Sequence, residues 1–120
     1  MNKPVSFEIA RLLKDKKIII HSEYRYTDFD GIERLEKNAD EMFPFAPTIA
    51  EVIMWLYEKH GIWITVNLLI EEMIDRLQDW FFYEVNGKEW DVENIRYSEE
   101  YYSPTEAYSE AIKRVLNTLI

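Results

Sequence analysis

Between Pro47 and Gly61 the sequence spells out a helix with a marked start and a marked stop. Thr48 and Glu51 have the spacing of a capping box, in which each side chain accepts from the other's backbone N–H, and Lys59-His60-Gly61 ends the run at a glycine able to take positive φ. Within it Ile49, Val52, Ile53, Trp55 and Leu56 supply a broad apolar face. Ala50, Met54 and Tyr57 widen that face until little beyond Glu51, Glu58 and Lys59 is left for solvent. A helix with so little polar surface belongs in the middle of a core. Directly after it, Ile62-Trp63-Ile64-Thr65-Val66 is an unbroken β-favouring run, so a central helix feeding a strand is the frame for the rest.

Upstream, Phe43-Pro44-Phe45-Ala46-Pro47 forbids regular helix, because each proline lacks an amide donor and restricts the residue before it. Ser6 is an N-cap for a first helix that carries Ile9, Leu12 and Leu13 on one stripe and ends near Lys16. Ser103-Pro104-Thr105-Glu106 opens the last helix with an N-cap serine, a proline at the first helical position and a glutamate at the capping-box position. Tyr108, Ala111, Ile112, Val115, Leu116 and Leu119 form its apolar stripe, running nearly to Ile120. Trp80 to Val85 reads as a strand, and Asn86-Gly87 as a type I′ hairpin turn with Lys88 to Val92 as the return strand.

Residues 17–46 and 67–79 are less determinate. Lys17 to Tyr26 reads as a strand or as irregular chain over the core, Asp28-Phe29-Asp30-Gly31 as a turn, and Ile32 to Met42 has a weak helical period through Ile32, Leu35 and Ala39. Leu69, Met73 and Leu77 favour a short helix over 68–77, with a strand and its turn as the equal alternative. The expected fold is a single acidic α+β domain over 1–120, in which a small, mainly antiparallel sheet packs against a central helix and a C-terminal helix.

A chain of 120 residues with four Trp, eight Tyr and six Phe has enough apolar surface for one core. Cysteine is absent, which removes disulfides, thiol catalysis and cysteine-held metals. The start of the chain has no apolar signal-peptide core, and no apolar stretch approaches the ~20 residues of a membrane span, so a cytoplasmic setting without membrane contact is expected. The net charge is −9 and uneven: residues 1–20 carry five basic and two acidic side chains, residues 71–110 twelve acidic and three basic. That field repels a phosphate backbone, so nucleic acid is disfavoured and a protein partner with a basic surface is attracted. Lys14, Lys16 and Lys17 form a local positive spot, best explained as a solvated helix end favoured by its dipole.

No catalytic, cofactor or metal site is legible. His60 belongs to the last turn of the central helix, where it can bond to terminal carbonyls, and His21 lies on a less certain element. Asp28-Phe29-Asp30-Gly31 invites comparison with a calcium loop, but its glycine comes two positions early and the twelfth position is Ala39 in place of glutamate. The three glycines, at 31, 61 and 87, form no phosphate-cradling cluster. The feature least explained by structure alone is Tyr97-Ser98-Glu99-Glu100-Tyr101-Tyr102, with Tyr24 and Tyr26 as candidate neighbours. Tyr97, Glu99, Glu100, Tyr101 and Tyr102 together suit recognition of a basic or amphipathic protein segment, tyrosine offering ring area at small entropy cost. The bland alternative is half-buried tyrosines with wet hydroxyls. A small enzyme or ligand-binding domain is the other reading; it needs a pocket in which His21 or His60 meets nearby carboxylates.

Three stretches form a set: Val5 to Lys14, Pro47 to Ile64, and Tyr102-Ser103-Pro104-Thr105-Glu106-Ala107-Tyr108 with Ala111-Ile112 and Leu119-Ile120. Together they resemble a family of small proteins, without an assigned activity, carried by phages and prophages of gut bacteria of the Bacteroides group. The resemblance implies no cofactor, substrate or catalytic residue. What it implies is provenance: an accessory protein of a mobile element, acting on a host or phage protein.

Overall fold

The computed structural model describes residues 2–73 and 76–120, and within 69–79 only the backbone of the residues described. Its contacts separate the chain into two compact units, Met1–Trp55 and Leu56–Ile120. Helices α1 (Phe7–Asp15), α2 (Ile49–His60) and α3 (Pro104–Thr118) accompany strands β1 (Tyr24–Phe29), β2 (Ile32–Lys37), β3 (Ile62–Met73) and β4 (Arg76–Gly87). The strands pair as two antiparallel two-stranded sheets, β1-β2 and β3-β4, and the fold is α+β. Among the described residues no helix is long and apolar enough to cross a membrane.

In the first unit, α1 starts where Ser6 Oγ accepts from the Ile9 N–H at 3.3 Å. It stops in a Schellman motif: the Ile18 N–H bonds to Leu13 O at 2.9 Å and the Lys17 N–H to Lys14 O at 3.0 Å, with Lys17 at φ 59°. That left-handed position crowds a Cβ against the following carbonyl, which is why glycine usually holds it. The chain then runs irregularly to β1.

Over Ile32–Lys37 the expected helix is instead strand β2. The turn decides this. Asp30 at φ 54° and Gly31 at φ 75° are both left-handed, the type I′ geometry that matches strand twist, and Phe29 pairs with Ile32 across it. Every residue of β2 is exposed, so the Ile32, Leu35 and Ala39 spacing reports no buried face. Along the other edge of β1, Pro44 to Ala46 adds a short rung: the Tyr26 N–H bonds to Pro44 O at 3.0 Å and the Ala46 N–H to Tyr24 O at 2.9 Å. Pro47 likewise offers only its carbonyl, to the Val5 N–H at 2.8 Å. Both prolines thus sit where an acceptor is needed and a donor is not.

The capping box of α2 forms in both directions, Glu51 N–H to Thr48 Oγ1 at 3.2 Å and Thr48 N–H to Glu51 Oε1 at 3.0 Å. Ile49, Val52, Ile53 and Leu56 are buried, whereas Met54 and Tyr57 are exposed, so the apolar face is narrower than composition suggests. Residues 49–55 of α2 belong to the first unit and 56–60 to the second. Gly61, at φ 65°, closes the helix with its N–H on Tyr57 O at 2.9 Å.

In the second unit, β3 and β4 pair from Ile62↔Gly87 to Met73↔Arg76. The backbone described over 68–77 is therefore strand, not helix; residues 74–75 lie outside the described residues. The Asn86-Gly87 hairpin does not form. Asn86 pairs with Trp63 as part of β4, and Lys88 to Val92 folds into a turn with no return strand. Local turn preference yields here to non-local pairing, because Ile64 and Val85 are cross-strand partners and both are buried. Ile62, Ile64, Tyr83 and Val85 share the inner face, and α3 packs on both strands, burying Ala107, Ala111, Ile112, Val115 and Leu116. Its N-cap is as expected, Ser103 Oγ accepting from the Glu106 N–H at 3.1 Å.

Candidate functional site

The tyrosine segment runs antiparallel along the free edge of β4. The Val85 N–H bonds to Arg96 O at 2.7 Å, the Ser98 N–H to Tyr83 O at 3.2 Å, and Phe81 and Tyr101 exchange both backbone bonds at 2.8 and 2.7 Å. Glu84 is bridged to Tyr97 and Phe81 to Tyr101. Between those bridges β4 supplies Phe82 and Tyr83, while the segment supplies Ser98, Glu99 and Glu100. The extra residue is a β-bulge. Ser98 makes it tenable: its Oγ accepts from the Tyr83 N–H at 2.8 Å, in place of the carbonyl that a regular ladder would present, and donates to Glu99 O at 2.7 Å.

The bulge determines which way each tyrosine faces. Four residues apart on a regular strand, Tyr97 and Tyr101 would share a face. With one residue inserted they oppose each other. Tyr101 goes to the helix side, its ring stacked on Tyr83 with centroids 6.4 Å apart and planes 14° apart. Tyr97 and Tyr102 go to the outer side, 66% and 69% exposed, and the Tyr102 ring lies 4.8 Å from that of Trp80. Glu99 and Glu100 stand exposed at the bulge. Tyr97 and Tyr102 therefore line one edge of the outer face, with Glu99 and Glu100 exposed between them in the chain, and Tyr101 turns to the interior side.

The outer face holds more than the sequence reading assigned to it. Strand alternation puts Trp80, Phe82, Glu84 and Asn86 of β4 there, with Trp63, Thr65 and Asn67 of β3. Trp63 is 38% exposed and meets the exposed Tyr57 edge-on at 5.2 Å. The Trp80 Nε1–H is buried without an acceptor among the described residues. The period of two in Trp80-Phe81-Phe82-Tyr83-Glu84-Val85 carries this split, and reading it requires only that the inner face be known.

Burial pushes the Tyr101 hydroxyl pKa up, with Tyr83, Glu110, Glu99 and Glu106 adding to the rise. Tyr83 is raised by burial too, against an opposing pull from Arg114. Both hydroxyls therefore stay protonated and uncharged at neutral pH. Over 56–120 the chain carries thirteen acidic and six basic side chains, a net −7, so the outer face lies in a negative field.

The histidines lie in separate units. His21 is exposed, edge-on to Phe45 at 5.2 Å, and lines a cavity of about 610 Å³ in the first unit whose one lining carboxylate is Glu41. His60 is half-buried; its ring meets Trp90 edge-on at 5.9 Å, and its carbonyl accepts from Trp90 Nε1 at 2.8 Å. Tyr24 and Tyr26 belong to the first unit, where the Tyr26 hydroxyl donates to Val5 O at 2.6 Å. Among the described residues no group of three or more histidine, aspartate or glutamate side chains is placed to hold a metal. Compared with family models, with curated proteins and with solved structures, the chain matches none.

Proposed function

We propose that this chain is an accessory protein-binding module of a mobile element, working in a bacterial cytoplasm on a host or phage protein with a basic surface. One observation carries the reading: the bulge turns Tyr97 and Tyr102 onto the same exposed face as Trp63, with Glu99 and Glu100 beside them. Exposed aromatic faces attract lysine and arginine by about 0.5–1 kcal/mol each, and interfaces gain further where such rings are desolvated. Carboxylates at the edge steer a cationic partner and set its orientation more than they add affinity. Aromatic anchors with an acidic rim therefore suit a folded or extended segment that carries basic side chains among apolar ones.

The test is capture from a lysate of a Bacteroides-group host, identification of the captured proteins, and rebinding of each one, purified, to the chain and its variants. Tyr97→Ala/Tyr102→Ala is expected to weaken rebinding about ten-fold or more, and Tyr101→Phe to leave it intact. Rebinding that no outer-face substitution alters overturns the proposal. So does a captured set dominated by acidic proteins.

A further inference from the structure

The first unit holds a second site, of opposite character. Its 610 Å³ cavity is of the size that takes small molecules, and Leu13, Ile18, Ile20, Phe43 and Phe45 give it apolar walls. Lys14, Lys17 and Arg25 also line it. In a chain with 23 acidic and 14 basic residues, three cations against the single carboxylate of Glu41 is a reversal of the overall balance.

Two of these cations, Lys14 and Arg25, are held by neutral groups. Lys14 Nζ donates to Met42 O, and Arg25 Nη1 donates to Glu41 O at 3.2 Å and Phe43 O at 2.5 Å. The Arg25 guanidinium carbon sits over the Phe45 ring, 3.7 Å from its centroid, and both residues line the cavity. Its Nε and Nη2 donors bond to no acceptor among the described residues, and neither Lys14, Lys17 nor Arg25 is ion-paired there. A side-on pair of guanidinium donors matches the two oxygens of a carboxylate. The backbone carbonyls orient the positive charge and leave it uncompensated.

From this we infer that the cavity binds a small amphipathic carboxylate, free in solution: an apolar body against Leu13, Ile20 and Phe43, its carboxylate received by Arg25 and by the Lys14 and Lys17 ammonium groups. Burial of the apolar body supplies most of the affinity, and the cations select the head group.

Dodecanoate, dodecanol and dodecyltrimethylammonium, each below its micelle concentration, are the probes, titrated into the full ¹⁵N-labelled chain. Dodecanoate is expected to bind about ten-fold more tightly than dodecanol, to lose that advantage in high salt, and to shift amides around Leu13, Ile20 and Phe45. The cation is expected not to bind. Lys17→Gly separates binding from folding: it removes a cation while relieving backbone strain, so dodecanoate should bind about three- to ten-fold more weakly to a chain that unfolds later. Equal affinity for acid and alcohol, shifts centred on β3 and β4, or Lys17→Gly binding as the parent does would each overturn the inference. Co-sedimentation with anionic phospholipid vesicles without any response to dispersed dodecanoate would overturn it in favour of a membrane surface.

Discussion

Replacing Lys17 with glycine should stabilise the protein. Lys17 closes α1 at φ 59°, where a Cβ costs roughly 1–2 kcal/mol against the following carbonyl. Its side chain is exposed and makes no hydrogen bond or ion pair among the described residues, so nothing is lost with it. Glycine gives back part of the gain, because the unfolded chain becomes freer by about 0.5–1 kcal/mol. The net expectation is about 0.5–1 kcal/mol of added stability, which for a chain of this length raises Tm by roughly 2–6 °C. Urea unfolding followed by circular dichroism reads this as a higher midpoint at unchanged slope. Lys17→Ala is the control, since it removes the side chain and keeps the strained Cβ. Should Lys17→Gly unfold no later than Lys17→Ala, the left-handed strain at the end of α1 is not stored there and the argument fails.

Two other outcomes follow from the second unit. Ser98→Ala strands the N–H of Tyr83, a residue only 2% exposed, and should cost about 1–3 kcal/mol in urea unfolding; a change below ~0.5 kcal/mol would mean that the bulge does not depend on the serine hydroxyl. Tyr83 and Tyr101 have pKa values raised on folding, so the folded chain holds their protons more tightly: that stability is complete below about pH 10 and is lost as pH climbs through the folded values, and Tyr101→Phe should flatten the fall of the urea midpoint above about pH 10.

What could be read from the residues divides by the range of the interaction that decides it. The starts of all three helices are set within one turn by Ser6, Thr48 with Glu51, and Ser103, and each of these caps forms as the spacing implies. Gly61 is equally local, since positive φ there depends on the helix it ends and on nothing distant. The errors are non-local. Asn86-Gly87 has the local chemistry of a hairpin, yet β4 already has β3 as its partner through Gly87, and a cross-strand pair of buried side chains outweighs a turn preference. Asp30-Gly31 has the same chemistry and keeps it, because no competing strand claims Phe29 or Ile32.

The tyrosine segment shows the same division at the candidate site. Its composition identifies it as unusual, but which face each ring takes depends on a single inserted residue against β4, and an insertion is defined only relative to a partner strand. Had the segment paired without the bulge, the period of two would have carried Tyr97 and Tyr101 to one face and left Tyr102 on the other. The surface offered to a partner would then be Tyr102 alone or the other two, according to register. Ser98 is therefore the residue on which the proposed surface turns, although it contributes nothing to the contact itself: it supplies the acceptor that lets Tyr83 do without a carbonyl, and so allows Tyr101 inward and Tyr102 outward.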